Sequence, residues 1–199
     1  MRAASRFWGV STFGAHCNGY VADDACRPTH LWIARRPDAK PTDPGRLDTV
    51  IGGVPIVQTP REAVIRAGWE EAGLQPHQMT DLVWGRRIDL DCDIAEGRQH
   101  ERLQVFDRSL PAGLAPRSVD GEVSEHRLMP LAEALARAAA GELATEAAVA
   151  TLDFAVRHRL VEPPAVGSES TSAGALGVGL AAAQWRAFDA LLHPASAAL

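Results

Sequence analysis

The stretch GGVPIVQTPREAVIRAGWEEAGL, residues 52–74, carries the strongest local signals in the chain. Its middle part, TPRE, is a capping-box pattern in which Thr59 is the N-cap and the following proline is the first helical residue. Apolar residues continue at helical spacing, and Gly73 lies where a glycine ends a helix. The sequence therefore predicts a strand, a Gly-Gly turn, a loop and a helix that ends in the adjacent glutamates Glu70 and Glu71.

Charged residues cluster at the end of this predicted helix. Glu70 and Glu71 supply oxygen ligands of the kind that Mg²⁺ prefers, while phosphate oxygens and water fill the remaining positions. Arg66 precedes Glu70 by one turn, where it can pair with that carboxylate and orient it. An isolated Glu-Glu pair is usually a solvated helix end, so the interpretation depends on the whole ordered pattern.

The spacing of this stretch resembles the Nudix box. That pattern is a glycine, five residues, a glutamate, seven residues, and then Arg-Glu-apolar-any-Glu-Glu-any-Gly-apolar. Counted from Gly52, the arginine, the glutamate pair and the final glycine of this chain fit without a gap. The resemblance implies an α/β fold, the Nudix α/β/α sandwich with a mixed curved β-sheet between helices. It also implies hydrolysis of a phosphoanhydride bond with Mg²⁺ or Mn²⁺ as cofactor.

Two positions of the box depart from the family pattern. Gln58 stands where the family has its first glutamate, and Ala67 stands where it has the glutamate after arginine. Gly68 replaces an apolar residue inside the helix, at a cost of roughly 1 kcal/mol relative to alanine. Ala67 and Gly68 support one alternative, a degenerate domain that binds a phosphorylated ligand or a protein partner without turnover. A second alternative is a hydrolase of nucleotide sugars or oxidised nucleotides, since one scaffold of this kind carries many substrates.

The resemblance also assigns roles to individual residues. Those implied in metal binding are Gly52, Gly53, Glu70 and Glu71. Those implied in catalysis are Arg66, Glu70, Glu71 and Glu122. Glu122 is the first candidate for the general base, Asp120 and Glu125 are its rivals, and a metal-bound hydroxide without a protein base is a further alternative.

Three cations lie at the end of a predicted strand and in the loop after it: Arg35, Arg36 and Lys40, the last being the only lysine in the chain. Guanidinium and ammonium groups bind phosphate oxygens, so these positions suit a diphosphate substrate. Ordinary surface charge is the alternative interpretation.

A narrower resemblance covers most of residues 7 to 162. Its blocks are FGAHCNGYV, LWIARRPDAKPTDPGRLD, WEEAGL, VDGEVSEHRLMPLAEAL and LDFAVRHRL. In this order they resemble the Nudix domains of thiamine-pyrophosphokinase-associated proteins. The resemblance implies thiamine diphosphate, or its damaged oxo and oxy analogues, as the substrate that is converted to a monophosphate.

Composition limits the function classes. The 199 residues, 46% of them hydrophobic, suffice for one full core, and the net charge is -5. An acidic balance argues against a protein that coats nucleic acid or anionic membrane. The N-terminus has no apolar run long enough for a signal peptide or a membrane span. We therefore expect a cytoplasmic protein that acts on a small molecule.

The cysteines agree with that compartment. Cys17, Cys26 and Cys92 are an odd number at irregular spacing, which indicates no disulfide framework. His16 and His30 lie near the first two, but their spacing matches no common zinc motif. We interpret both histidines as ordinary strand residues.

The remaining chain divides into short elements. Residues 7–22 predict two short strands broken by Gly14 and Gly19, and residues 29–36 predict another. Further strands are predicted at 82–92 and 102–110, and helices from about Leu131 and within 141–160.

Three regions follow from composition. Residues 1–162 form the predicted Nudix domain, 163–174 a Pro/Gly/Ser linker, and 175–199 an amphipathic helical tail. Trp185 and Phe188 share one face of that tail, which we expect to pack against the domain or against the second subunit of a homodimer.

Overall fold

The computed structural model describes residues 8–94 and 97–161, so the predicted linker and tail lie outside it. The strands are β1 (Thr12–Ala22), β2 (Pro28–Arg35), β3 (Leu47–Thr49), β4 (Ile51–Gly53), β5 (Val83–Ile94), β6 (Gly97–Ser109) and β7 (Glu125–Pro130). The helices are α1 (Pro60–Ala72), α2 (Leu131–Ala139) and α3 (Thr145–Arg157), with a short 3-10 helix at Pro76–Met79. No helix in this part of the chain is long and apolar enough to span a membrane.

The strands form one mixed sheet in the order β3-β2-β1-β6-β5, with β4 also pairing with β1 and β7 with β2. β1 and β6 run parallel, whereas the other pairs are antiparallel. β1 changes its partner along its length, because Ala15–Cys17 pair with β4 and Gly19–Ala22 pair with β2. The sheet therefore branches on this side of β1.

Apolar residues on the two faces of the sheet pack against different helices. Ala15, Cys17 and Phe106 belong to the cluster beneath α1. Leu103 and Val105 alternate with Phe106 along β6 and face α3 instead. The predicted α/β arrangement, with a mixed sheet between helices, is confirmed.

Gly14 and Gly19 do not break the first strand, so the prediction of two short strands in this region is wrong. Both lie within the continuous strand β1, which begins only at Thr12. A Cβ on Gly14 would lie 2.4 Å from Glu101 Oε1, and one on Gly19 would lie 2.8 Å from Val50 Cγ1. Each glycine leaves room for a neighbouring side chain to approach the β1 backbone closely. A prediction from the sequence pattern interprets the same glycines as turn residues.

The predicted Gly-Gly turn is also wrong, because Gly52 and Gly53 are part of β4. A Cβ on Gly53 would lie 2.9 Å from the carbonyl oxygen of Ala63 in α1. The absence of a side chain at this position therefore lets α1 pack directly against the β4 backbone.

The predicted caps of α1 are confirmed. The Thr59 hydroxyl accepts a hydrogen bond from the Glu62 N–H at 3.3 Å, and the Glu62 carboxylate accepts one from the Thr59 N–H at 2.8 Å. Gly73 ends the helix in the left-handed region with φ 66°. Both ends of the helix that carries Glu70 and Glu71 are thus fixed by local sequence.

A buried ionic network joins β6 to α3. Asp107 is 1% exposed. It accepts hydrogen bonds from two nitrogens of the Arg157 guanidinium and from Asn18 Nδ2, the latter at 3.1 Å. Burial raises the pKa of Asp107, but hydrogen bonds from His158, Arg157 and Asn18 outweigh it and hold the pKa below its ordinary value. The carboxylate therefore stays charged inside the fold.

Candidate functional site

A cavity of about 700 Å³ opens beside β3 and β4, at the branch of the sheet. One wall is the C-terminal half of α1, and the opposite wall is the loop at residues 36–43. The loop at 120–122 closes one side, and residues of β1, β3, β4 and α3 complete the lining. The predicted site residues that line it are Arg36, Lys40, Gly52, Gly53, Arg66, Glu70, Glu71 and Glu122.

Glu71 is the most strongly perturbed acid of this cavity. Its Oε2 accepts a hydrogen bond from the Gly52 N–H at 2.7 Å. Burial raises the pKa of Glu71 to about 8, although this hydrogen bond acts in the opposite direction. The charges of Asp48 and Glu122 raise the pKa further, and that of Lys40 lowers it. With its pKa at about 8, the Glu71 carboxyl is largely protonated near neutral pH.

This raised pKa makes stability depend on pH. Between pH 4.5 and about 8 the folded chain holds a proton on Glu71 that the unfolded chain has lost. The contribution of Glu71 is thus fully present below pH 4.5 and is lost as pH rises through about 8. We expect Glu71→Gln, measured in EDTA, to increase the free energy of unfolding by about 2 kcal/mol at about pH 9, and by little at about pH 5.

Calorimetric unfolding across this pH range is the measurement, with Glu70→Gln as the matched control. Glu70 is the adjacent carboxylate and is bonded to Arg66, so its variant should show no alkaline gain. A Glu71→Gln curve that runs parallel to the wild-type curve would contradict the assigned pKa.

Arg66 and Glu70 form an ion pair on the helix. Arg66 Nη1 lies 2.6 Å from Glu70 Oε2. The same guanidinium donates to Gln58 Oε1 at 3.1 Å and to the Val54 carbonyl oxygen at 3.3 Å. Gln58, which departs from the box pattern, therefore helps to hold Arg66 in place.

Glu122 lies in the loop at 120–122 and pairs with Lys40, whose Nζ is 2.6 Å from Glu122 Oε2. This hydrogen bond, more than any other interaction, keeps the pKa of Glu122 below its ordinary value. Asp120 accepts a hydrogen bond from the Glu122 N–H at 2.8 Å and so shapes the turn. Glu125, the other rival, pairs with Arg127 in β7 and does not line the cavity.

The same loop is attached to the end of α1 by backbone hydrogen bonds. The N–H groups of Val119 and Asp120 donate to the Glu70 carbonyl oxygen at 2.8 and 3.2 Å. The position of Glu122 is therefore tied directly to the helix turn that carries Glu70 and Glu71.

The two adjacent arginines are placed differently. Arg36 lines the cavity and donates to Asp48 Oδ2 at 2.8 Å and to the Thr42 carbonyl oxygen at 2.9 Å. Arg35 donates to Asp38 at 2.6 Å and does not line the cavity. Arg35 is the last residue of β2 and Arg36 the first of the following loop, and of the two only Arg36 lies beside the other predicted residues.

Sequence reasoning missed His16, which is 7% exposed and lines the cavity. Its Nδ1 lies 2.9 Å from the Thr49 hydroxyl, and that hydroxyl lies 3.0 Å from the Ile51 carbonyl oxygen. The hydroxyl donates its one proton to the carbonyl and therefore accepts from the Nδ1–H of His16. His16 pairs with Gly52 across β1 and β4, a register that no local sequence signal reports.

The comparisons with known proteins agree with this arrangement. The model of the NUDIX domain matches residues 20–149. The chain belongs to the NUDIX family. Nudix hydrolase 24, chloroplastic, of Arabidopsis thaliana is 32% identical over 174 residues, which cover 83% of this chain and 46% of that protein. An uncharacterized protein of Saccharomyces cerevisiae is 28% identical over 81% of this chain and 51% of its own length.

The chain thus spans about half the length of the curated relatives it matches. Among solved structures, the NUDIX domain of Shewanella oneidensis NrtR, complexed with ADP ribose, matches with a TM-score of 0.57 at 15% identity. That match covers 74% of this chain and 88% of the other. At this identity the likeness shows the Nudix fold, while family membership supports diphosphate hydrolysis in general.

Nudix enzymes generally use divalent metals, so the residues of this cavity can be compared with that requirement. Carboxylate oxygens are suitable ligands. However, residues 8–94 and 97–161 contain no group of three or more His, Cys, Asp or Glu side chains that could hold a metal. Ala67, 2% exposed, occupies the position one turn before Glu71 where the family has a glutamate. Of the set that the resemblance implied, the side-chain ligands are therefore the two carboxylates Glu70 and Glu71, which line the cavity together with Gly52 and Gly53.

Proposed function

We propose that this domain binds a small diphosphate in the cavity between α1 and the loop at residues 36–43, and hydrolyses its phosphoanhydride bond. One observation carries the proposal: the ammonium of Lys40 and the guanidinium of Arg36 line the same cavity as Glu71 and Glu122. Cations at such a site bind phosphate oxygens, and carboxylates can accept a proton from water.

The cations and the carboxylates of the cavity have different roles in the proposed reaction. Water attacks a phosphorus atom, the bond from that atom to the bridging oxygen breaks, and the leaving phosphate carries away the electron pair. Lys40 stabilises the negative charge on the phosphoryl oxygens as the bond breaks, and the charge of Arg36, which stays bonded to Asp48 and to the loop, adds to the local field. Glu122 is the proposed general base, and it becomes a stronger base when Lys40 moves away from its Oε2.

Thiamine diphosphate or an oxidised analogue is the substrate class we propose, on the resemblance of the blocks within residues 7–162. A cavity of about 700 Å³ is of the size that accommodates such a molecule. Mg²⁺ or Mn²⁺ is the cofactor that the same resemblance implies. Because the described residues include no cluster of three or more His, Cys, Asp or Glu side chains for it, the assay must include conditions with and without metal.

A second candidate function is binding of a phosphorylated ligand without turnover. Ala67 favours it, since the helix lacks the carboxylate that would lie one turn before Glu71. The ion pairs of Glu70 with Arg66 and of Glu122 with Lys40 favour it as well.

Phosphate release by the purified chain separates these functions. The substrates are thiamine diphosphate, oxothiamine diphosphate, ADP-ribose and nucleoside triphosphates, each with Mg²⁺, Mn²⁺ or EDTA. Glu71→Gln is the site variant, and Glu133→Gln is the control, since Glu133 pairs with Arg137 on α2 outside the cavity. Turnover that only Glu71→Gln abolishes supports hydrolysis. A folded protein that binds diphosphate without turnover contradicts it and supports the second function.

A further inference from the structure

Three of the acidic side chains that line the cavity pair with cations that line it as well. Glu70 pairs with Arg66 at 2.6 Å, Asp48 with Arg36 at 2.8 Å, and Glu122 with Lys40 at 2.6 Å. Because acidic residues outnumber these three cations in the lining, a bound phosphate would depend on one of the three.

The two arginines of this set are fixed by several hydrogen bonds. Arg36 donates to two backbone carbonyl oxygens as well as to Asp48, and Arg66 donates to one backbone carbonyl oxygen and to Gln58. Each would have to break several bonds to turn towards a ligand. Neither arginine is well placed to exchange its partner.

Lys40 differs from both arginines. Glu122 is the one side-chain partner that the described structure gives to its ammonium group, which has three N–H donors. The side chain of Glu122 is 54% exposed, whereas that of Asp48 is 11% exposed. An ion pair with one partner in water is weak and exchanges readily, whereas a pair held by several buried hydrogen bonds does not.

Lys40 lies close to two carboxyl groups of the cavity. Its charge acts on Glu71 as well as on Glu122, so the ammonium lies within electrostatic reach of both carboxyl groups. A compact ammonium ion binds phosphate as a point charge and needs no particular fork geometry.

We propose that the Lys40 ammonium supplies the cation of this cavity for ligand binding, and exchanges Glu122 for the phosphate of a small diphosphate without a divalent metal. The inference rests on the proposed function in that both use the same cavity. It goes further in naming the group that binds the ligand and in separating binding from any metal requirement. Exchange also frees Glu122, the proposed base, only when phosphate is present.

The single lysine of the chain makes this directly observable. Reductive methylation with isotope-labelled formaldehyde labels Lys40 and the N-terminal amine alone, and it preserves the charge of the ammonium group. Inorganic diphosphate is then added to the full chain in EDTA while the methyl signals are followed by NMR. We expect the Lys40 signal to shift and saturate. No shift in EDTA, with a shift once Mg²⁺ is added, would overturn the proposal.

Calorimetric binding of inorganic diphosphate in EDTA to unlabelled variants provides the matched comparison. Lys40→Met should weaken binding about tenfold to a hundredfold, the loss expected for one charge-assisted hydrogen bond. Arg35→Met removes the same charge outside the cavity and should change binding less than about twofold. Equal losses of affinity in both variants would show that the effect comes from net charge alone, and would overturn the proposal.

Glu122→Gln tests the exchange independently, in case Lys40→Met binds weakly only because it is misfolded. Removing the competing carboxylate should tighten diphosphate binding in EDTA more than Glu70→Gln does, since Glu70→Gln removes a cavity charge that pairs with Arg66 instead of Lys40. Unchanged or weaker binding by this variant, when circular dichroism shows it folded, would contradict the exchange. Binding in EDTA without any turnover would leave this inference standing and overturn only the proposed hydrolysis. Turnover with Mg²⁺ but no binding in EDTA would do the reverse.

Discussion

Ala67→Glu is expected to create a divalent-cation site and to raise the turnover of the preferred diphosphate by roughly a hundredfold in the presence of Mn²⁺. Ala67 and Glu71 are one turn apart on α1, and both line the cavity, so the new carboxylate would extend towards the existing one. Together with Glu70 they would form the set of three acidic side chains that the described residues lack. Mn²⁺ binding followed by electron paramagnetic resonance, and kcat/KM measured alongside, test this expectation.

Ala67→Gln is the control for this substitution, because it adds nearly the same volume without the charge. It should leave both Mn²⁺ affinity and turnover close to the wild-type values. Were Ala67→Glu to bind Mn²⁺ no more tightly than Ala67→Gln, the missing glutamate would not account for the absence of a metal-ligand cluster. If the wild-type chain already turns over its substrate quickly and Ala67→Glu does not increase kcat/KM, another group must perform the role of the missing glutamate.

Asp107→Asn is expected to lower the free energy of unfolding by about 2 kcal/mol, since it removes a buried charge-assisted hydrogen-bond partner of Arg157, which then keeps Asp153 as its ion-pair partner. The carboxylate of Asp107 is almost fully buried and accepts two hydrogen bonds from Arg157. Its lowered pKa means that this stability is present above pH 3.8 and is lost as pH falls through the folded-state value. Urea unfolding at neutral pH is the measurement.

The exposed pair between Asp89 and Arg102 is the matched control, with side chains 61% and 56% exposed. Asp89→Asn removes the same charge but should cost less than about 1 kcal/mol. An Asp107→Asn variant as stable as Asp89→Asn would show that the buried network contributes little.

Elements determined by local chemistry could be predicted from the sequence. The caps of α1 follow from Thr59 and Gly73, whose effects extend only a few residues along the chain. The start of α2 at Leu131 also agrees with the sequence prediction. The patterns at Gly14 and Gly53 predict turns wrongly, because the small size of these two residues serves contacts with distant parts of the chain.

The residues of the site also divide into those that local sequence predicts and those that depend on tertiary structure. The box placed Glu70 and Glu71 correctly on one helix end, and their separation from Arg66 is a property of the helix alone. Which of two adjacent arginines enters the cavity depends on strand phase and on the bonds of the following loop. The partnership of Lys40 with Glu122 joins residues that are 82 positions apart. Such pairings come from tertiary structure, and a single sequence carries no signal for them.

The parallel pairing of β1 with β6 has a consequence for how the domain can be made. Thr12 pairs with Glu101, so the central strand β1 can pair on this side only after β6, which comes much later in the chain, has been synthesised. Contacts this distant in sequence form slowly and together. A ribosome that has released residues 52–74 has produced the entire Nudix box, yet β1 then has no partner on its other side. We therefore expect the motif to acquire its cavity only once β6 has emerged, and a fragment that ends before Gly97 to carry the signature without the fold.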